Sequence, residues 1–245
     1  MTCRSLPRWR SVLAVVAHPD DESFGLGAVL ATLTATSRVA VLCFTHGEAS
    51  TLHGADPGDL HSIRTAELTA AAAALHLTAV TLLDYPDGSL AGQPAAELAD
   101  AVVAAAERAD ATALIVFDPS GVTGHPDHRA ATGAAVAAAT RLGLPVLAWT
   151  LPGEVAEVLN DEFGATFHGH PASAVDIELP VDRSQQLDAI GCHRSQVVAG
   201  GVLWRRVELL GSVEHLRWIH RAHDDTTQYE TPRPDSPRRG DASST

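Results

Sequence analysis

The sequence predicts a doubly wound α/β fold, in which helices cover both faces of a mostly parallel sheet. Short apolar runs recur along the chain, and alanine- and leucine-rich stretches of helical length separate them. Runs that are apolar on both faces are typical of buried parallel strands. Strand and helix therefore alternate, which requires crossover connections and a sheet that is buried on both sides.

Five apolar runs are predicted strands, because each is too short to form a helix of its own. They are residues 12–16, 39–44, 79–83, 113–117 and 145–149. Four intervening stretches favour helices, because their alanine and leucine residues have a low free-energy cost of helix formation and mostly small side chains. They are residues 25–35, 60–75, 94–109 and 125–142. A further strand at 174–179 and a helix at 183–192 are expected to extend or cap the sheet.

Length and composition indicate one globular domain. The chain has 245 residues, of which 45% are hydrophobic, so a packed core is possible and fibrous or wholly disordered classes are excluded. We predict a single domain over residues 1–223. Residues 224–245 are polar, proline-containing and without apolar periodicity, which predicts a disordered tail.

The charge balance excludes nucleic acid as an expected partner. All 17 basic residues are arginines, and 30 acidic residues leave a formal charge of −13, whereas phosphate binding needs a concentrated basic face. No apolar run approaches the roughly 18–20 residues of a membrane span. The three cysteines are widely spaced, and cleavage after a leader ending at Ala17 would remove the first strand, so we expect a cytoplasmic protein.

Two histidine motifs follow predicted strands, where the ligands of such sheets bind. His18 and Asp21 follow the first strand, and His125 and His128 have the same spacing where a glycine-containing loop enters a helix. Residues three apart on a turn point the same way. Two imidazoles and one carboxylate suit Zn²⁺, with a fourth position for water as in catalytic sites. A zinc ion lowers the pKa of its water to about 7, which makes hydroxide available at neutral pH.

The other residues of these motifs have types suited to the remaining catalytic roles. Asp20 is suited to take the proton of the activated water. His125 is suited to stabilise an oxyanion if it carries both protons, and Asp127 to hold that imidazole or its neighbour in one tautomer. Spacing alone does not fix which residue has which role. Asp21 as a helix cap and Asp127 as a helix-dipole partner are simpler explanations of each residue taken alone.

Six segments match a known family in order and spacing, from about residue 11 to residue 197. They are Ala17-His18-Pro19-Asp20-Asp21-Glu22, Thr45-His46-Gly47-Glu48, Arg64-Thr65-Ala66-Glu67, Tyr85-Pro86-Asp87-Gly88, Gly124-His125-Pro126-Asp127-His128 and His193-Arg194-Ser195-Gln196. On these residues the sequence resembles the LmbE-like, or PIG-L, family of zinc-dependent N-acetylglucosaminyl deacetylases. The resemblance implies a Rossmann-like fold, in agreement with the strand and helix pattern.

The resemblance also implies roles for individual residues. It gives His18, Asp21 and His128 as the metal ligands, Asp20 as the general base, and His125 as the group that polarises the amide carbonyl. The metal is expected to be Zn²⁺ or another divalent ion.

Two further positions match residues that contact sugar hydroxyls in the family. These are Arg64 and Asp87. Each also has a structural alternative, because Arg64 and Glu67 are spaced for a pair on a helix surface and Pro86-Asp87-Gly88 is an ordinary turn sequence.

The expected function is removal of an N-acetyl or other N-acyl group from a small amino-sugar compound. The expected partners of the protein are this substrate and, as an open alternative to a monomer, further copies of the chain in a homo-oligomer. The acidic chain does not steer anions, so a neutral glycoside is favoured over a phosphorylated one. The alternative is an amidase for a larger conjugate, such as a thiol S-conjugate or a lipoglycopeptide intermediate, which requires open loops at 52–60 and 151–163. An idle nucleotide-binding module lacks support, because no Gly-x-Gly-x-x-Gly follows the first strand.

Three positions depart from the family's pattern. His46 stands where the family commonly has arginine, and Gln186 where it commonly has lysine. Both differences are expected to alter substrate contacts. Thr123 stands where the thiol-precursor deacetylases have tyrosine, which argues against that subgroup. The other histidines, including His61, have no ligand spacing.

Overall fold

The structure is a computed structural model and describes residues 2–52 and 59–221. The predicted tail at 224–245 and most of the predicted loop at 52–60 lie outside the described residues. Helices and strands follow one another in this order: β1 (Ser11–Val16), α1 (Asp21–Phe24), α2 (Gly27–Thr34), β2 (Arg38–Thr45), α3 (Leu60–Ala74), β3 (Ala79–Tyr85), α4 (Ala95–Arg108), β4 (Ala113–Phe117), α5 (Pro126–Leu142), β5 (Val146–Pro152), α6 (Gly153–Phe163), β6 (Gly169–His170), β7 (Ile177–Pro180), α7 (Ser184–Ile190), α8 (Val202–Leu210) and β8 (Val213–His220).

One sheet organises these elements. Its strand order is β3-β2-β1-β4-β5-β8-β7, and β6 pairs with β5. The first five strands in this order are parallel, whereas β8 is antiparallel to both β5 and β7. The predicted mostly parallel, doubly wound sheet is confirmed. Because β2 and β3 lie on one side of β1 and β4 and β5 on the other, the strand order reverses between β1 and β4.

Alternation of side chains along the buried strands builds two cores, one on each face of the sheet. All residues of β1 are buried. Val12, Ala14 and Val16 belong to one core, and Leu13 and Val15 belong to the other. A strand that is buried on both faces has no solvent-facing positions for polar residues, which is why β1 is apolar from Val12 to Val16.

Helices cover both cores. Residues of α4 and α5 pack on one face, and residues of α2, α3, α6, α7 and α8 pack on the other. Alanine fills much of the α5 surface that faces the sheet, as at Ala135 and Ala138, so this helix approaches the strands closely. None of the helices within the described ranges has the length and apolarity that crossing a bilayer requires.

The carboxyl-terminal part of the sheet differs from expectation. Residues 151–163, expected to be a loop whose size limits the substrate, instead complete β5 and form α6. Pro152 and Gly153 at the helix start suggest a loop, but proline is compatible with the beginning of a helix, and Gly164 ends α6 in the left-handed conformation. The strand expected at 174–179 begins later, at Ile177, and the helix expected at 183–192 is shorter, as α7.

Helix α8 and strand β8 were not predicted. The β8 sequence includes the charged residues Glu214 and Arg217 among its apolar residues, so its pattern does not predict that the strand is buried or partly buried throughout. Glu214 is 1% exposed because it accepts a hydrogen bond from Trp149 Nε1 at 2.6 Å and pairs with Arg183. A buried charge of this kind needs partners from elsewhere in the fold, which a local pattern does not contain.

Candidate active site

The two histidine motifs meet where the strand order reverses. His18 and Asp21 follow β1, and His125 and His128 follow β4, the two strands on either side of the reversal. Sheets of this class bind their ligands at that point, beyond the carboxyl ends of the strands. The structure therefore brings together residues that are more than a hundred positions apart in the sequence.

Three ligand atoms converge between the motifs. His18 Nδ1 lies 3.2 Å from His128 Nε2, which lies 3.1 Å from Asp21 Oδ1. His18 Nδ1 also lies 3.7 Å from Asp21 Oδ2. Ligand atoms at about 2.0–2.2 Å from one tetrahedral ion are about 3.3–3.6 Å apart, so these spacings fit a single shared ion.

Polar groups on the far side of each ring favour the tautomer that a metal needs. His128 Nδ1 lies 3.1 Å from the carbonyl of Gly121, to which it donates, so Nε2 keeps its lone pair. His18 Nε2 lies 3.1 Å from Asp87 Oδ1 and 3.5 Å from Asp127 Oδ2, which leaves His18 Nδ1 unprotonated when the ring is neutral. Two nitrogen lone pairs and a carboxylate then face one point, an arrangement that a cation stabilises.

Electrostatics at His18 favour positive charge in the same place. Burial lowers the pKa of His18, but the carboxylates of Asp127 and Asp87 outweigh burial and raise the pKa to about 10. His128 holds the pKa of Asp21 well below its usual range, although burial opposes this. A residue set that fits a divalent ion in geometry therefore fits it in charge as well.

Asp20 lies in a strained turn between His18 and Asp21, the two predicted ligands of the first motif. Its φ is 127°, a region that non-glycine residues rarely adopt. The strain is held by hydrogen bonds: Asp20 N donates to Glu22 Oε2 at 3.0 Å, and Ser23 N donates to the Asp20 carbonyl at 3.0 Å. This turn places the Asp20 carboxylate beside the ligand atoms, where both chambers described below reach it.

Arg64 holds the Asp20 carboxylate. Its Nη2 donates to Asp20 Oδ2 at 2.9 Å and to the Pro19 carbonyl, and its Nη1 donates to the Gly47 carbonyl at 2.6 Å. Gly47 has a φ of 66°, and a Cβ there would overlap the guanidinium. Burial raises the pKa of Asp20 to about 6 against the opposing charge of Arg64. A carboxylate with this pKa is suited to general-base chemistry near neutral pH.

His125 begins α5 as its N-cap residue. Its Nδ1 accepts a hydrogen bond from Asp127 N at 3.2 Å, so a neutral ring carries its proton on Nε2. Burial, together with the positive charges of His128 and His18, lowers the pKa of His125. The neutral ring can therefore donate a hydrogen bond through Nε2. Double protonation, which the sequence suggested as a condition for stabilising an oxyanion, is not required for this.

The structure gives Asp127, Asp87 and Arg64 different neighbours from those expected. Asp127 is fully buried, accepts from Gly88 N at 2.8 Å and Leu90 N at 3.0 Å, and faces His18 rather than His125 or His128. Asp87 also faces His18. Arg64 is 3% exposed, and its guanidinium group is hydrogen-bonded to other residues of the protein. Sugar contacts by Arg64 and Asp87 stay predictions.

A second layer of buried polar residues supports the first motif. Glu22 and His193 are both fully buried, and His193 Nε2 lies 2.7 Å from Glu22 Oε1, which Ser23 Oγ also contacts at 2.5 Å. Glu67 accepts two hydrogen bonds from Ser195 at 2.7 Å, so the surface pair with Arg64 does not form. Gln186 is buried and donates to the Ser23 carbonyl at 3.1 Å. These residues position the turn and do not line the chambers.

Two connected cavities meet at the ligand atoms. The first, called the polar chamber, has about 480 Å³ and is lined by Ser50, Arg64, Asp87, Gly88 and His125, among others. The second, called the apolar chamber, has about 530 Å³ and is lined mainly by Phe24, Phe117, Trp149, Phe163, Phe167 and Val202. Asp20, Asp21 and His128 line both.

Comparison with known proteins agrees with this site. The family described as PIG-L, GlcNAc-PI de-N-acetylase, matches residues 13–139, which include the motif residues from His18 to His128. The chain belongs to the PIG-L family. As a member of this deacetylase family it is an enzyme of the hydrolase class, and the family's metal dependence accords with the convergent ligand atoms.

Relatives and solved structures extend the match beyond the family segment. A 1D-myo-inositol 2-acetamido-2-deoxy-alpha-D-glucopyranoside deacetylase of Mycolicibacterium vanbaalenii is 31% identical, over 76% of this chain and 80% of its own length. A probable N-acetyl-alpha-D-glucosaminyl L-malate deacetylase 2 of Bacillus anthracis is 29% identical, over 86% of this chain and 92% of its own. The zinc-inhibited form of teicoplanin deacetylase Orf2 shares the fold, with a TM-score of 0.65, 21% identity and coverage of 85% of this chain and 97% of that one.

Proposed function

We propose that this PIG-L enzyme is a zinc-dependent deacetylase that removes the N-acyl group of a small amino-sugar compound. The observation that supports this most directly is the convergence of His18 Nδ1, Asp21 Oδ1 and His128 Nε2 on one point, with both imidazoles fixed as lone-pair donors. The relatives favour an amino-sugar amide over the larger conjugate considered as the alternative.

His18, Asp21 and His128 would hold the ion. A divalent ion bound there supplies Lewis acidity, which lowers the pKa of water and polarises the amide carbonyl. Asp20 takes a proton from the attacking water as the carbon–oxygen bond forms. Arg64 keeps the Asp20 carboxylate in place through the 2.9 Å contact to Oδ2.

His125 completes the proposed mechanism. Its Nε2–H donates to the carbonyl oxygen as that oxygen becomes an anion, which stabilises the tetrahedral intermediate. The proton held by Asp20 then passes to the leaving nitrogen, the carbon–nitrogen bond breaks, and the products are a carboxylate and a free amine. Asp127 and Asp87 hold the His18 ring throughout, since both face its Nε2.

A hydrolysis assay tests this function. N-acetylated glucosamine glycosides incubated with the zinc-loaded enzyme are expected to yield acetate and free amine in equal amounts. Treatment with a strong chelator is expected to abolish the release, and Zn²⁺ or another divalent ion to restore it. Full activity in metal-free buffer, or no amide hydrolysis by the loaded enzyme, would overturn the proposal.

We also propose a cytoplasmic location. The sequence expectation is supported by the thiols, because Cys3, Cys43 and Cys192 all lie within the described residues and are unpaired there. Cys43 is fully buried in the core, as its place among apolar strand residues predicts.

A further inference from the structure

The apolar chamber adjoins the reacting centre, and the proposed chemistry leaves it unassigned. Asp21 and His128 line it on one side, and aromatic rings from β4, β5 and the segment after α6 line the others, at Phe117, Trp149 and Phe167. The polar chamber shares Asp20, Asp21 and His128 with it and is also lined by His125 and Asp87. A substrate amide placed at the ligand atoms would thus adjoin both a polar and an apolar space.

The charged groups of the apolar chamber are already engaged. Arg206 lies with its guanidinium carbon 5.1 Å from the centre of the Trp149 ring and donates to the Phe24 carbonyl. The other charged residues of the wall, Asp20, Asp21 and His128, belong to the catalytic centre. The remaining surface is suited to an uncharged, apolar group.

The mouth of the chamber carries exposed apolar side chains. Leu52, Phe163 and Val198 are 57%, 41% and 49% exposed, and all three line this cavity although they come from separate parts of the chain. Among the described residues, only Ile63 and Leu187 are other large hydrophobic side chains of comparable exposure. A cluster of exposed apolar side chains around a cavity indicates a ligand that covers them.

The size of the chamber favours a ligand group larger than acetyl. An acetyl methyl group is about as large as one water molecule, ~30 Å³, and would leave most of the 530 Å³ empty. A chain of several methylene groups would occupy several times more of this space. Each methylene group moved from water to such a wall strengthens binding roughly fourfold.

We propose that the apolar chamber binds the acyl chain of the substrate, and that the enzyme prefers N-acyl amino sugars with medium-length chains to N-acetyl ones. This inference rests on the proposed function. The sugar then occupies the polar chamber, where Asp87 and His125 lie, and the amide spans the ligand atoms between the chambers.

A chain-length series with matched variants tests the assignment. We expect kcat/KM for an N-octanoyl glucosamine glycoside to exceed that for the N-acetyl compound by at least tenfold. Val202→Phe and Ala165→Phe fill the chamber from two different elements and are expected to lower octanoyl hydrolysis at least tenfold, while acetyl hydrolysis stays within about twofold. Glu208→Gln, an exposed position on the same helix as Val202, is the control and should change neither.

The outcomes separate this inference from the proposed function. Acetyl hydrolysis that equals or exceeds octanoyl hydrolysis would overturn the assignment of the chamber and leave the deacetylase standing. An octyl glycoside of N-acetylglucosamine serves as the second arm: if it is the preferred substrate and the filling variants reduce it selectively, the chamber binds the aglycone, which also overturns the assignment. Failure of the loaded enzyme to hydrolyse any of these amides would overturn the proposed function itself.

A separate cluster consists of residues that line neither chamber. His46 Nε2 lies 3.0 Å from Asp84 Oδ1, and His61 Nε2 lies 4.0 Å from the same oxygen. The two imidazole rings are stacked, with centres 3.5 Å apart and planes at 17°. His61 and Asp84 are exposed, so an ion in solution has access to them.

The hydrogen bonds of His46 fix its tautomer. Thr65 Oγ1 donates to the His61 carbonyl at 2.8 Å, so its only hydrogen is used. It must therefore accept from His46 Nδ1, which lies 2.9 Å away. A neutral His46 ring then directs its Nε2 lone pair at the Asp84 carboxylate, so either a proton on Nε2 or a metal cation bound by both atoms accounts for their 3.0 Å separation.

The geometry assigns a second divalent transition-metal site to His46, His61 and Asp84, whose ligand atoms lie within 4.8 Å of one another. Two imidazoles and a carboxylate are ligands that Zn²⁺ accepts, and the exposed position leaves further places for water. The spacing of residues in the sequence does not predict this site, because its three residues come from three separate parts of the chain.

Zinc titration tests this site. Zn²⁺ added to the zinc-loaded full chain is expected to bind at one further site per chain, measured by calorimetry. His61→Ala and Asp84→Asn should weaken this binding at least tenfold and retain the first ion. His76→Asn, an exposed histidine with a positive φ that asparagine tolerates, is the control. If no further ion binds, a protonated His46 paired with Asp84 accounts for the cluster and the site is overturned; equal binding by the variants would overturn it too.

Discussion

The two chambers of the candidate active site draw mainly on different regions of the molecule, although Phe24 and Phe117 join the apolar chamber from the amino-terminal half. The catalytic region comprises the turns after β1, β2, β3 and β4, and it supplies the ligand atoms and the polar chamber. The carboxyl-terminal region, residues 146–221, supplies Trp149, Phe163, Phe167 and Val202 to the apolar chamber. The first region has short motifs in which each residue has one chemical task. In the second, the named residues of the apolar wall belong to no motif, because a wall needs only bulk and apolarity. In the proposed enzyme, reaction type and acyl-chain preference thus depend mainly on different parts of the chain.

Removal of a metal ligand should have the largest effect in the catalytic region. We expect His128→Ala to lose bound zinc and to lower kcat/KM at least about 10³-fold, because the ring supplies one of three ligand atoms. Metal analysis after dialysis and the hydrolysis assay measure both. Arg129→Ala, an exposed neighbour on the same helix, is the control. A full metal complement in His128→Ala would refute its role as a ligand.

Removal of the base should separate turnover from metal binding. Asp20→Asn keeps an oxygen for Arg64 but no longer takes a proton, so we expect kcat to fall roughly 10²–10⁴-fold with zinc content unchanged. Steady-state kinetics on the metal-loaded variant measure the loss. Turnover equal to that of the parent enzyme would remove Asp20 from the mechanism.

Changes behind the ligands should have intermediate effects. Asp127→Asn weakens the charge that faces His18 Nε2, and we expect the dissociation constant for Zn²⁺ to rise roughly 10–100-fold. Competition with a chromophoric chelator measures the constant, with Asp100→Asn on the surface of α4 as the control. An unchanged constant would show that Asp127 only secures the loop at Gly88 and Leu90.

Substitution of a residue that only stabilises the carboxyl-terminal region should leave the reaction intact. Glu214→Gln weakens the buried contacts to Trp149 and Arg183, and we expect the free energy of unfolding to fall by about 1–3 kcal/mol. Hydrolysis of the N-acetyl substrate should stay within about twofold. Urea denaturation measures the stability, with Glu208→Gln as the control. A large loss of activity with unchanged stability would break the separation between the two regions.

The catalytic region was predictable because its chemistry is local. His18 and Asp21, like His125 and His128, are each three residues apart, and buried strands and short turns fix where such residues lie. The apolar runs, which alternate with helical stretches along the chain, predicted β1 to β5 and therefore the edge of the sheet at which the motifs meet. The convergence of the ligand atoms follows from that topology.

The rest depends on contacts between distant residues. The partner of Arg64 is Asp20, 44 positions away, rather than its helical neighbour Glu67. Asp127 faces His18 because the loop after β3 folds over it, which no spacing reveals. The charged residue Glu214 makes β8 look solvent-exposed in the sequence, but Glu214 is buried because its charge is balanced by Arg183. The sequence therefore predicted the type of site, and the tertiary structure showed which residues Arg64, Asp87 and Asp127 contact.

X-ray absorption at the zinc edge, with one equivalent of Zn²⁺ per chain, tests the shared ion most directly. The His61→Ala variant is the material of choice, because it lacks the proposed surface site. We predict two imidazole ligands and oxygen ligands at about 2.0–2.2 Å, and loss of one imidazole in the additional His128→Ala change. A spectrum without imidazole scattering, or one that His128→Ala leaves unaltered, would contradict the shared ion at His18, Asp21 and His128.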